Sequence, residues 1–152
     1  MSAPEDRLAA LGFSVPDVAK PVATYVPALR NGNYVFTSGQ LPMRSGELMY
    51  TGKVGGEISP EEGVECAQQC ALNAIAAVKA EIGDLDLVKR IVKVVAFVAS
   101  TPDFTGQPGI ANGASHLFGE AFGDAGVHAR SAVGVSVLPL DAPVEVEIIV
   151  EV

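Results

Sequence analysis

The chain has 152 residues, 49% of them hydrophobic and 18% charged, and a net charge of −8. That length fits a single domain, spanning 1–152, that buries most of its apolar surface, and the scattered Lys and Arg form no basic stripe, which argues against a nucleic-acid partner. No apolar run approaches the ~18 residues of a membrane span, the acidic start Met1–Arg7 has no apolar stretch behind it, and there are only two cysteines, so the expected compartment is the cytoplasm.

In chain order, residues 4–12 predict a short helix ended by Gly12, followed by a connector punctuated by Pro16, Pro21 and Pro27. Around Tyr25-Val26 the connector is expected to be extended. Asn31-Gly32 marks a turn, because both residues tolerate positive φ. The β-branched and aromatic run 33–37 reads as a strand that stops at Ser38-Gly39-Gln40-Leu41-Pro42. The glycine-rich stretch 44–58 holds at most a short strand near Leu48-Met49-Tyr50.

Ser59-Pro60-Glu61-Glu62 combines a capping box with proline at the first helical position. Val64, Ala67, Ala71, Ile75, Val78 and Ile82 then recur at steps of three and four, one apolar stripe closed by Gly83. The valine-rich run 91–99 reads as a strand buried on both faces. A second long helix is expected over 109–122, with Ile110, Leu117, Phe118, Ala121 and Phe122 inward. Strands at 131–138 and 144–152 finish the chain, the last placing Val144, Val146, Ile148, Val150 and Val152 on one face and its glutamates on the other. This order suggests an α+β fold: one sheet with both long helices on one face. By parity along the chain, Ala132, Gly134 and Ser136 are expected to share the opposite face with the glutamates, giving a surface of small and acidic residues suited to close approach by another subunit.

Few residues offer chemistry. Cys66 and Cys70 lie one helical turn apart, away from the apolar stripe on a helical wheel. Two thiols do not make a structural zinc site, and His116 and His128 fit no ligand spacing, so no metal is expected and the cysteines read as small packing residues. Ser38 lacks the glycine two residues before it that a nucleophile elbow needs. Gly52-Lys53-Val54-Gly55-Gly56 lacks P-loop spacing. Arg130 stands out at the opening of an apolar strand. A guanidinium there suits a carboxylate, which it meets with two parallel hydrogen bonds, or an ordinary ion pair with one of the terminal glutamates.

Three blocks, in order, carry a family resemblance. They are Tyr25 with Gly32-Asn33 and Phe36-Thr37-Ser38-Gly39-Gln40-Leu41-Pro42; the strand 91–98 with Asp103-Phe104 and Asn112; and Ala129-Arg130-Ser131-Ala132-Val133 with Leu138-Pro139 and Val144-Glu145-Val146-Glu147. Together they resemble the RidA/YjgF family over 25–152, in a longer form with an N-terminal helical extension over 1–20. The resemblance implies a chorismate-mutase-like fold, a homotrimer with ligand clefts between subunits, and no cofactor. It also implies hydrolysis of 2-aminoacrylate-like enamines and imines to 2-keto acids and ammonia. Carried over residue by residue, it gives Arg130 the substrate carboxylate and Glu145 the positioning or activation of water. Tyr25, Ser38, Gly39 and Asn112 would border the ligand. Ala132 stands where the deaminase branch commonly has cysteine, Gly134 where the family has glutamate, and His128 where proline is common. His128 is therefore a candidate replacement proton carrier. The alternative is a non-catalytic trimer that binds small carboxylate metabolites for regulation.

Overall fold

The helices begin where their capping chemistry lies. In the computed structural model, which describes residues 1–152, the Ser2 hydroxyl accepts from the Glu5 N–H while the Glu5 carboxylate accepts from the Ser2 N–H, opening α1 (Ala3–Ala10). The hairpin β1 (Ala28–Asn31) and β2 (Tyr34–Thr37) turns at Gly32-Asn33, with Gly32 at φ 61°. The turn thus sits one residue later than Asn31-Gly32 suggested, and glycine takes its positive-φ position. A small second hairpin, β3 (Met43–Arg44) and β4 (Glu47–Leu48), replaces the expected strand near 48–50.

The capping box at Ser59 opens α2 (Pro60–Ile82), and Gly83 at φ 86° closes it. There follow β5 (Arg90–Ala99), α3 (Gln107–Phe122), β6 (Ala129–Val135) and β7 (Val144–Glu151). The main sheet runs β1-β2-β7-β5-β6 and is mixed, with β5 and β6 parallel and every other pair antiparallel. Both long helices lie on one face, as expected. The core between them and the sheet includes Ile75, Phe118, Val94 and Ile148, each such side chain contributing about 1.5–3 kcal/mol by leaving water. α1 packs on α3 through the fully buried Leu8.

Three further expectations change. Cys66 and Cys70 are fully buried, as packing cysteines should be, yet they do not lie on an open flank of α2. Both belong to the core between the helices and the sheet, where Cys70 Sγ lies 3.6 Å from the Val144 carbonyl of β7, while residues 41–43 cover the neighbouring Asn73, whose Nδ2 donates to the carbonyls of Leu41 and Met43 at 2.9 and 3.0 Å. Burial pushes the Cys66 thiol up to about 12 and raises the Cys70 thiol well above its ordinary value, so neither acts as a thiolate. Strand β5 is buried on its helix-facing side only; Val95 and Phe97 on the other side are half-buried.

The third correction concerns β6. It begins at Ala129, not 131, and its parallel register pairs Val94 with Arg130, Ala96 with Ala132 and Val98 with Gly134. Val94, Ala96 and Val98 all face the helices, so Arg130, Ala132 and Gly134 do too. The open face instead carries Ser131 and Val133 beside Val95, Phe97, Glu145, Glu147, Phe36 and Ile149. It is more apolar than a surface of small and acidic residues: Leu29, Tyr34, Phe36 and Val133 are all exposed on it.

Candidate functional site

Arg130 is the second residue of β6, an edge strand, and its side chain lies against α3. Asn112 and Ser115, three apart on that helix, occupy one face of it. Arg130 Nη1 donates to Asn112 Oδ1 at 2.8 Å and to Ser115 Oγ at 3.1 Å, while Nη2 donates to the Pro108 carbonyl at 3.3 Å. All three acceptors are neutral. The ion pairs of the chain are Lys53–Asp141 and Lys79–Glu5, so the alternative of an ion pair between Arg130 and a terminal glutamate does not hold. The guanidinium is half-buried and clamped on one side. Its Nε–H and one Nη2–H carry no protein partner, which leaves donors for a carboxylate.

His128 stands behind this clamp. Its Nδ1 lies 2.6 Å from the Gly126 carbonyl, and its Nε2 lies 2.9 Å from Ser115 Oγ. A carbonyl only accepts, so Nδ1 carries a proton, and in the neutral ring Nε2 accepts a hydrogen bond from the Ser115 hydroxyl. Ser115 therefore receives a hydrogen bond from Arg130 and passes one to His128. The Phe118 ring packs edge-on against the imidazole, with centroids 5.9 Å apart. His128 reaches Arg130 through Ser115. Sequence reasoning missed Ser115; its spacing from Asn112 on one helix was the available signal.

The remaining candidates form a second cluster. The Ser38 hydroxyl donates to the Val26 carbonyl at 2.6 Å, and the Ser38 N–H donates to the Pro27 carbonyl at 2.8 Å. These bonds latch the Tyr25–Pro27 segment over the sheet end, so Tyr25 lines a small hollow with Pro27, Gly39 and Gln40. Gln40 is buried and exchanges backbone hydrogen bonds with Val146 at 2.8 and 3.0 Å. That pairing brings Gly39 against Glu145: a Cβ on residue 39 would sit 1.8 Å from Glu145 Oε1. Only glycine leaves the carboxylate its place. Burial, and secondly the neighbouring Glu147, raise the Glu145 carboxyl above the usual range.

The two clusters do not meet within one chain. Arg130 is level with Val94, and Glu145 with Phe97 two strands away. Strand spacing and rise place their Cα atoms roughly 14 Å apart, and the side chains leave opposite faces of the sheet. Beside Gly134, where the family carries a glutamate, the space is taken by Gln107. Its Nε2 would lie 2.7 Å from a Cβ at 134 and donates to the Phe104 carbonyl at 2.7 Å.

The family model described as "YjgF/chorismate mutase-like, putative endoribonuclease" matches residues 5–152. The chain belongs to the RidA/YjgF family. A relative from Trypanosoma cruzi, protein TCP17, is 44% identical over 95% of this chain and 91% of its own. A 2-iminobutanoate/2-iminopropanoate deaminase from Dermatophagoides farinae is 35% identical over 91% of this chain and 93% of its own. Among solved structures, protein Atu1372 of Agrobacterium tumefaciens superposes with a TM-score of 0.93 at 44% identity, covering 99% of this chain and 93% of that one. The RidA/YjgF fold, an α+β sheet with helices on one face, is thus the fold of this chain. No helix is long and apolar enough to cross a membrane.

Proposed function

We propose that this RidA/YjgF protein hydrolyses small 2-imino acids to 2-keto acids and ammonia, in clefts formed between copies of the chain. The observation that carries the reading is the Arg130 guanidinium, held by three neutral acceptors with its charge uncompensated and an edge free. Such a group is built to receive an anion with two parallel hydrogen bonds. The name of the Dermatophagoides relative supports the imine chemistry.

Because the Arg130 and Glu145 clusters point away from each other, one site takes Arg130 and Asn112 from one copy and Tyr25, Ser38, Gly39 and Glu145 from the next. The open sheet face, with exposed Leu29, Tyr34, Phe36 and Val133, is the surface the copies share, and a closed ring of three follows from the family resemblance. The protonated imine carbon is already electrophilic, so no nucleophilic side chain is needed. Arg130 grips the carboxylate. Glu145, its carboxyl raised by burial, takes a proton from the attacking water as the new C–O bond forms. It then returns that proton to the nitrogen of the tetrahedral adduct. As the C–N bond breaks, it takes the proton of the adduct's hydroxyl, which closes the carbonyl, and passes it to the released ammonia. Iminium and water thus give keto acid and ammonium, and holding water and imine in position removes several kcal/mol of the barrier, on the order of what oriented reactants gain. Neither cluster calls for a metal or an organic cofactor.

The test is a coupled reaction. A pyridoxal-phosphate-dependent threonine dehydratase releases 2-iminobutanoate, and this protein is expected to speed 2-oxobutanoate formation, while Arg130→Ala does not. Equal rates with and without the wild-type protein would refute hydrolysis. If 2-oxobutanoate still bound at Arg130, the regulatory reading, a carboxylate-binding trimer without turnover, would stand in its place; the uncharged Ala132, Gly134 and Gln107 near the clamp are the features that favour it. Net charge and the absence of a basic stripe weigh against an RNA substrate.

A further inference from the structure

A hollow of about 870 Å³ lies away from Arg130. It lies where the segment after α1 crosses α2 and the β3–β4 hairpin, between Phe13, Lys20, Met43, Arg44, Gln68 and Leu72. That size is within the ~300–1,000 Å³ of small-molecule sites. Its floor is a polar ladder: Arg44 Nε donates to Gln69 Oε1 at 3.2 Å, Gln69 Nε2 to Asn73 Oδ1 at 3.1 Å, and Asn73 to the Leu41 and Met43 carbonyls. Gln69 and Asn73 are 6% and 2% exposed, so the ladder is fixed, and it orients Arg44 with its two terminal nitrogens unpartnered. Neither Arg44 nor Lys20 has a carboxylate within ion-pair distance, though Asp17 also lines the hollow. Phe13, Met43 and Leu72 supply apolar walls between these cations.

The hollow adjoins the Tyr25–Gly39 half-site, with Ala19, Lys20 and Met43 in the lining of both. Gly39 and Arg44 are five residues apart, so at most about 17 Å of chain separates them. Met43 N–H bonded to the Leu41 carbonyl at 2.8 Å shortens that path.

We propose that this hollow receives the side chain of the substrate, and that the preferred substrates are imino acids whose apolar chain ends in a second carboxylate bound by Arg44 and Lys20. The inference rests on the imino-acid reading above and adds a specificity determinant to it. Isothermal titration with two six-carbon 2-keto acids tests it: 2-oxoadipate, which has the terminal carboxylate, and 2-oxohexanoate, which ends in a methyl. The wild-type protein is expected to bind 2-oxoadipate at least tenfold more tightly. Lys20→Ala/Arg44→Ala removes that preference to within threefold, and Arg44→Lys, which keeps the charge, retains part of it. Thermal melting of each variant checks the fold. Equal affinities in the wild type, or a preference that survives the double substitution, overturns the inference while leaving the imino-acid reading intact. Failure of both acids to bind the wild type overturns the two together.

Discussion

Replacing Arg130 with alanine removes the donors proposed to hold the substrate carboxylate. Nη1 is committed to Asn112 and Ser115, and one Nη2–H to Pro108, so the carboxylate takes the Nε–H and the remaining Nη2–H. Hydrogen bonds to a charged group contribute about 1.5–3 kcal/mol each, so two amount to about 3–6 kcal/mol. The guanidinium is only half-buried, and solvent screening favours the lower end. Affinity for 2-oxobutanoate should therefore fall about 100-fold, at ~1.4 kcal/mol per factor of ten. Arg130→Lys keeps the charge without the fork and should lose about tenfold. Ser115→Ala leaves the fork but frees Nη1 from one of its two anchors and His128 Nε2 from its donor, and should cost a smaller factor. Isothermal titration at neutral pH measures all three. An Arg130→Ala protein that melts normally and binds within threefold of wild type would refute the carboxylate clamp.

Two further expectations concern stability. The Glu145 carboxyl is raised in the fold by burial, so its ionised form destabilises the folded state. That cost is absent below the unfolded carboxyl value and fully present once the pH has risen past the folded one. Glu145→Gln should then raise the melting temperature at neutral pH and lose that advantage near pH 4; an equal shift at both pH values would contradict it. Gly113 faces α2, where an added Cβ would lie 2.3 Å from the Val64 carbonyl oxygen, a backbone atom that cannot swing aside. Gly113→Ala should destabilise by about 3 kcal/mol, roughly 6–12 °C at this size. Gly119→Ala on the same helix meets nothing within 4 Å and should gain about 0.4–1 kcal/mol. Parallel melts of the two variants check the contrast.

What the sequence determined by itself is what neighbouring residues decide among themselves. The capping boxes, the glycine that closes α2, the apolar stripe of α2 and the alternation of β7 depend on residues a few positions apart. They produced the helices, the last strand and the one-sided sheet correctly. The family blocks likewise lie in short runs, so Arg130, Asn112, Tyr25, Ser38, Gly39 and Glu145 could be singled out before any fold was known. Tertiary structure decided which face each residue takes. Side chains alternate along a strand, so pairing Arg130 with Val94 puts it on the helix side, whereas chain parity had grouped its same-parity neighbours with the glutamates. That pairing is with a strand more than thirty residues away and leaves no local trace. Long-range contacts likewise packed the cysteines of α2 into the core against the sheet, placed Ser115 between Arg130 and His128, and separated the two halves of the proposed site onto opposite faces of one sheet.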